Sequence, residues 1–398
     1  MSTLQVEGIR NAAQSSDAIS LASNGSVSIA ATCSISKPVT ALQDNQIKLI
    51  NTISDTNLII NPHMQVNQRE SGTLTVNSST SQWPVDRWVS RGEGGSRTFT
   101  VEQVSVASSG LGVRNAVKIT SSQAGTVTSN DIFNFRQMIE GYNTQRLNLG
   151  EAGCQSMTLS FTVRSSVAGT HSGAIQNSGQ NRSYPFTYTL VANTWTDVTI
   201  TIPPITDGSS WNETNGVGVR VVFDMGSGDN FRGTANQWNS AQDEGATGAV
   251  RILETNGATW EVTKVQFEEG TIKSPTQKRS YGDELSKCQR YFWLVSKGET
   301  GKPFGTIIMY SNTSARINYF FPVSMRAAPS LYEVTGTNYW SIIVDGGQSQ
   351  SDNIENTIYG TTDYTHVIIT DDVSSSGGKV GWIENLNAAA RLGFNAEF

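Results

Sequence analysis

MTLSFTV, residues 157–163, alternates apolar with small polar side chains: Met157, Leu159, Phe161 and Val163 fall on one face, and Thr158, Ser160 and Thr162 on the other. Successive side chains of an extended strand point to opposite faces, so this period of two predicts a strand with one face in a core. The period recurs on both sides of it. Val198, Ile200 and Ile202 form a second run, halted by Pro203-Pro204; Val217, Val219, Val221 and Phe223 form a third; Phe99 and Val101 form a shorter one upstream. Turn chemistry lies between them, as in SGQN at 178–181 and DGSSWNETNG at 207–216. Short strands separated by such turns predict an all-β sandwich. In TWEVTKVQFEEG, 259–270, Trp260 and Val262 share a face while Val265 and Phe267 stand one residue out of step. A β-bulge absorbs one extra residue, so a bulge is predicted between the two pairs.

Composition fits thin sheets with solvated outer faces. Ser and Thr supply 89 of the 398 residues and Gly 37, while charged residues make up 16%, against about 25% in an average soluble protein. The 9 Trp, 11 Tyr and 14 Phe supply apolar area for several small cores, which excludes general disorder. A net charge of −6 argues against a nucleic-acid partner, which demands a basic face. No run of about eighteen apolar residues is present, so no membrane insertion is expected. The start MSTLQVEGIRN has neither the basic residues nor the apolar stretch of a secretory signal. Cys33, Cys154 and Cys288 are odd in number and far apart. They give no metal-ligand spacing and no disulfide framework, so structural thiols and folding in a reducing cytosol are expected.

Four segments follow. Residues 1–56 contain no aromatic side chain and cannot build a core alone. Val27, Ile29, Ala31, Cys33 and Ile35 have strand spacing, and Val39, Leu42, Leu49 and Ile53 have the spacing of two heptads, which reads either as a short coiled coil or as an extended linker. In either case the segment needs a partner, and a second copy of the chain is the economical one. Residues 57–272 hold the sandwich already described. Residues 273–290 form a connector with a short helix: Ser280 caps it, Asp283 and Glu284 occupy its first turn, and Tyr281, Leu285, Cys288 and Phe292 share a face. Residues 291–398 make a smaller C-terminal β-sandwich, in which Ala315, Ile317, Tyr319, Phe321 and Val323 alternate, as do Ala390, Leu392, Phe394, Ala396 and Phe398 up to the last residue.

Chemistry is sparse. His63, His171 and His366 have no second ligand at metal spacing, and no nucleophile, phosphate-loop or dinucleotide motif is present. In DMGSGDN, 224–230, Asp224 and Asp229 offer oxygen ligands to a cation but lack the alternating acids of a dedicated calcium loop. The adjacent acid pairs, such as Glu268-Glu269, point to opposite faces of a strand and build no acid–base couple. No catalytic residue and no cofactor is expected. Aromatic rings are the other route to a sugar, since they stack on its C–H face. Trp195 and Trp260 read as core, whereas Trp211 and Trp238 stand beside Asn in polar loops and Tyr339-Trp340 follow Asn338. Trp211, Trp238, Tyr339 and Trp340 are the candidate glycan contacts; for each, a ring folded back on the sandwich is the competing reading.

The N-terminal LQVEGIRNAAQSSDAISLASNGS (4–26), the NLIIN, MQV and DRW block (57–88), VQFEEG (265–270) and CQRYF (288–292) together resemble tail-fibre and related virion proteins of marine tailed bacteriophages, notably cyanophages. The middle region is similar to carbohydrate-binding jelly rolls, with Pro62 where Gly is usual, and FPVSMRAAP (321–329) resembles small C-terminal fibre domains. The resemblance implies a homotrimer in the virion. Residues 1–56 would attach it to other tail or capsid proteins, and the distal β-domains would bind a host surface polysaccharide. The alternative is a non-adhesive virion protein, such as a capsid decoration or a tail or baseplate connector.

Overall fold

The structure is a computed structural model; it describes residues 19–21, 27–29, 56–70, 72–354, 357–369 and 375–398, with 19–21, 27–29 and 357–359 as backbone. The chain divides into two units, Met1–Ser54 and Asp55–Phe398. In the first, β1 (Ile19–Leu21) pairs antiparallel with β2 (Val27–Ile29), Leu21 opposite Val27. Cys33, the rest of the expected strand and the Val39–Ile53 stripe lie outside the described residues.

The period-two runs become strands of the second unit. β3 (Leu74–Val76), β6 (Thr98–Ser105), β7 (Asn115–Gln123), β9 (Met157–Ser165), β12 (Thr196–Ile202) and β16 (Thr259–Glu269) form one sheet, in the order β12-β9-β16-β7-β6-β3. The facing sheet runs β11-β10-β13-β8-β5-β4, built from β4 (Thr80–Val85), β5 (Trp88–Glu93), β8 (Ile132–Glu140), β10 (Gly169–Gln176), β11 (Ser183–Leu190) and β13 (Val217–Asp224). Two six-stranded antiparallel sheets face to face make a jelly-roll sandwich. Its core contains the residues that the alternation selected, among them Leu159, Phe161, Val163, Val219, Val221 and Phe223. Phe161 meets Phe223 edge-on with centroids 5.0 Å apart, and Trp88 stacks on Phe135 at 5.0 Å. Full burial of each such ring stabilises by about 1.5–3 kcal/mol. The predicted bulge is present: the β16–β9 register shifts between Thr263 and Gln266, Lys264 takes φ +56°, and Trp260, Val262, Val265 and Phe267 all enter the core.

The helix Tyr281–Gln289 starts as expected, with Ser280 Oγ accepting from the Asp283 amide at 3.2 Å. Its apolar face differs from expectation. Tyr281 is exposed, while Leu285 and Cys288 pack with Ile60, Val66 and Tyr291 inside the same chain, and Phe292 is buried in the strand that follows. That face is consumed by the chain itself and is not free as a seam between copies.

The C-terminal part is a smaller sandwich. Its three-stranded sheet runs β17-β26-β20, from β17 (Phe292–Ser296), β20 (Ser330–Val334) and β26 (Arg391–Asn395). The opposing sheet runs β22-β21-β25-β18-β19-β24-β23, from β18 (Pro303–Ser311), β19 (Ser314–Phe320), β21 (Trp340–Val344), β22 (Gly347–Ser351), β23 (Thr357–Gly360), β24 (Tyr364–Ile369) and β25 (Val380–Asn385). Leu392 and Phe394 enter its core, so the last strand is central in its sheet. Phe321 and Val323, expected in the strand with Tyr319, lie beyond its end. The two sandwiches are joined by two arginines, Arg87 buried and Arg290 partly exposed. Arg87 pairs with Glu397, gives a hydrogen bond to the Met138 carbonyl and stacks on the Tyr291 ring at 3.5 Å; Arg290 forks onto Glu140 at 2.8 and 2.6 Å.

Candidate functional site

The aromatic residues nominated from sequence separate into two places. Trp211 and Trp238 come together, rings 5.9 Å apart and nearly perpendicular, with Tyr184 5.3 Å from Trp238. Trp211 is buried, and its Nε1 donates to Ser209 Oγ at 3.1 Å; Trp238 is half-buried and donates to the Pro203 carbonyl at 3.0 Å. Both rings are folded back on the sandwich. Trp340 lies in the other sandwich, fully enclosed and 5.7 Å from Phe304, so neither ring face can meet a sugar; its neighbour Tyr339 is half-buried against the same core. Trp195, read as core, is half-exposed at the start of β12 with the Arg164 guanidinium 4.8 Å above it.

Asp224 and Asp229 do not converge on a cation. Asp224 is buried, pairs with Arg232 at 2.6 Å and accepts from the amides of Gly226 and Ser227 at 2.9 and 2.7 Å; Asp229 is exposed and pairs with Arg251. Among the described residues no group of three or more His, Cys, Asp or Glu is placed to hold a metal ion.

A polar site does exist, on the outer face of the β11-β10-β13-β8-β5-β4 sheet. Core positions on β8 and β13 are odd-numbered, Phe133, Phe135, Val221 and Phe223, so the even-numbered residues point outward. Register then assembles them. Arg136 lies opposite Val89 on one side and Val222 on the other; Asn134 lies between Arg91 and Asp224; Arg220 lies between Met138 and Gln176. Three guanidiniums and two amides thus occupy three adjoining rows of a rigid sheet.

The loop between β13 and β16 packs over one side of this face. Its short strands β14 (Arg232–Gly233) and β15 (Gly245–Ala246) pair in parallel, and the Asp224–Arg232 ion pair holds it down. Gly245 permits the approach, since a Cβ there would stand 2.5 Å from both Asp224 Oδ2 and Ser172 Oγ. The loop delivers Glu244, fully buried, whose carboxylate accepts from Asn134 Nδ2 at 2.8 Å and Gln242 Nε2 at 3.1 Å. It also supplies the Asp243 carbonyl, which accepts from Gln176 Nε2 at 2.9 Å.

Several polar atoms on the face have no partner. Asn134 Oδ1, Arg136 Nε, Gln176 Oε1 and Arg220 Nε are buried without a hydrogen bond. Buried polar groups in folded proteins are nearly always paired, so four exceptions on one face call for a bound group or water. Burial lowers the Arg136 pKa to about 10; Glu244 opposes that shift, while Arg91 and Arg220 add to it. Burial also lowers the pKa of Arg220. Single-sequence reasoning missed these residues. FNFRQM (133–138) and GVRVVFD (218–224) do alternate aromatic or aliphatic with polar side chains, but their shared face emerges only once the strands are paired.

No protein-family model and no curated protein matches this chain. Solved structures do. One reported for the structure and function of a family 4 carbohydrate-binding module is 14% identical, covering 53% of this chain and 98% of its own, with a TM-score of 0.27. A family 61 module in complex with β-1,4-galactotriose is 9% identical, covering 54% and 99%, at 0.27. A family 11 module from Clostridium thermocellum, in complex with a β-1,3-1,4-mixed-linked tetrasaccharide, is 10% identical, covering 51% and 98%, at 0.25.

Proposed function

We propose that this chain binds a glycan without cleaving it, on the outer sheet face around Asn134, Arg136, Gln176 and Arg220. The observation that carries the reading is one preformed face on which the partly exposed guanidiniums of Arg136 and Arg220 stand among polar atoms that the chain leaves unpaired. Donors and acceptors held ready on a rigid sheet suit a ligand rich in hydroxyl groups, because little ordering entropy is lost on binding. Each hydroxyl exchanged from water to protein gains only about 0.5–1.5 kcal/mol, so single-site affinity is modest. Linked sites raise avidity by about 10²–10⁴.

On this proposal the protein is a virion component, a phage tail fibre attached through residues 1–56 and acting as a homotrimer on host surface polysaccharide. Support comes from the N-terminal and CQRYF sequence resemblance and from an unpartnered surface. The outward face of the seven-stranded sheet exposes Ile308, Tyr310, Phe320, Tyr364, Val380 and Trp382, an apolar grouping of the kind that marks a contact surface. The test is binding of the full-length protein to an array of host and reference polysaccharides, beside the Arg136→Ala/Arg220→Ala double variant. Binding by the parent and its loss in a folded variant support the reading. A parent that binds no glycan refutes it and leaves the non-adhesive virion role.

A further inference from the structure

The most deeply buried arginines among the described residues each have a carboxylate. Arg87 has Glu397, Arg97 has Asp131, and Arg232 has Asp224. Arg136 and Arg220, partly buried side by side on one face, have none. The Arg136 side chain makes no hydrogen bond or ion pair among the described residues, and its Nε is sealed from water. Arg220 spends Nη1 on the carbonyls of Asn177 and Ser178 at 2.9 and 2.8 Å, while its Nε also stays unpaired. One carboxylate, Glu244, faces both of them. Glu93 pairs with Arg91, and both Glu244 oxygens already accept from Asn134 and Gln242. Two guanidiniums sharing one carboxylate leave the centre of the face with a surplus positive charge, and burial makes that charge costly.

We propose that the saccharide taken by this face carries an oxyanion, a carboxylate or a sulfate, seated on the Arg136 guanidinium with Arg220 beside it. This rests on the glycan-binding reading above and adds the ligand's charge to it. The physical reason is complementarity. A planar fork pairs with a carboxylate or sulfate through two parallel N–H···O bonds, and an oxyanion satisfies donors that a neutral hydroxyl satisfies only singly. Val89 and Val222 on either side of Arg136 are buried, and their apolar surroundings strengthen the pairing relative to open water. The overall charge of −6 disfavours loose adsorption of polyanions, so acidic glycans bind only where the local charge is reversed.

Matched polymers separate the outcomes: dextran against dextran sulfate, and galactan against polygalacturonate. Each is titrated against the full-length protein at low and at high salt. The expected result is preference for at least one acidic member, weakened by salt. Arg136→Gln should cost about ten- to a hundredfold in that affinity, weaken the neutral polymer by a smaller factor, so that the preference for the acidic member falls, and leave the melting temperature near that of the parent. Arg136→Lys, which keeps the charge and loses the fork, should fall between. Preference for sulfate or for carboxylate identifies which oxyanion is meant. Equal binding of neutral and acidic members overturns this proposal while the glycan reading stands. Acidic preference that survives Arg136→Gln and Arg220→Gln overturns the assignment to this face. If none of the four polymers and no array glycan binds, the glycan reading itself has failed.

Discussion

Glu397 is the second-last residue, yet replacing it with Gln should destabilise the whole second unit. The Arg87 and Glu397 side chains are 1% and 2% exposed. Removing one charge of such a pair strands the other in a dry setting, which typically costs 3–5 kcal/mol. Arg87 would keep the Met138 carbonyl and the face of Tyr291, and a desolvated cation–π contact contributes about 2 kcal/mol, so the lower end applies. A loss of about 3 kcal/mol lowers the melting temperature of a unit this large by roughly 6 °C. Because the pair bridges the two sandwiches, proteolysis in the connector near residues 271–280 should accelerate as well. The Arg87→Met/Glu397→Leu double variant removes both charges and should recover most of the loss, since replacing a buried pair by apolar groups is often neutral. Tryptophan fluorescence during urea and thermal unfolding reads all three proteins. A Glu397→Gln variant melting within about 1 °C of the parent would falsify the clamp, as would a double variant less stable than either single one.

Three further outcomes are expected. Burial, followed by Lys278, Lys264 and Arg279, lowers the His63 pKa from 6.5 to about 4; between those values the unfolded chain holds the extra proton, so stability is complete above pH 6.5 and falls by about 3 kcal/mol as pH drops to 4. His63→Gln should flatten that part of the denaturant-midpoint profile relative to the parent, and an unchanged slope assigns the effect elsewhere. The Cys288 thiol is pushed well above its usual range by burial first and then by Asp86 and Glu284; mass spectrometry should find it unmodified by iodoacetamide at pH 8 until the protein unfolds, and rapid labelling of folded protein refutes its burial. Trp340→Ala should cost about 3–5 kcal/mol of stability with glycan affinity unchanged in the folded fraction, whereas selective loss of affinity would restore that ring as a contact.

What the sequence determined by itself is what depends on neighbours a few residues apart. The period-two runs gave strands and their inward faces because strand geometry fixes alternate side chains to one side. The phase slip in TWEVTKVQF located the bulge, and Ser280 with Asp283 located the helix start, since both are local backbone events. Trp340 was nominated as a glycan contact, although its alternation with Ile342 and Val344, all three in the core, is a strand period; Trp211 and Trp238 sit in loops, where no period constrains a ring, and only the fold shows them turned inward. The helix face of Leu285 and Cys288 was legible as apolar; that Ile60 and Tyr291 of the same chain cover it was not. Tertiary structure alone decided the polar face. Asn134, Arg136, Gln176 and Arg220 come from three strands up to 86 residues apart in sequence, and antiparallel register, a property of paired strands, sets them side by side. A loop from still further along the chain then buries Glu244 among them, so the charge balance that favours an oxyanion there is written in the packing and not in any one segment.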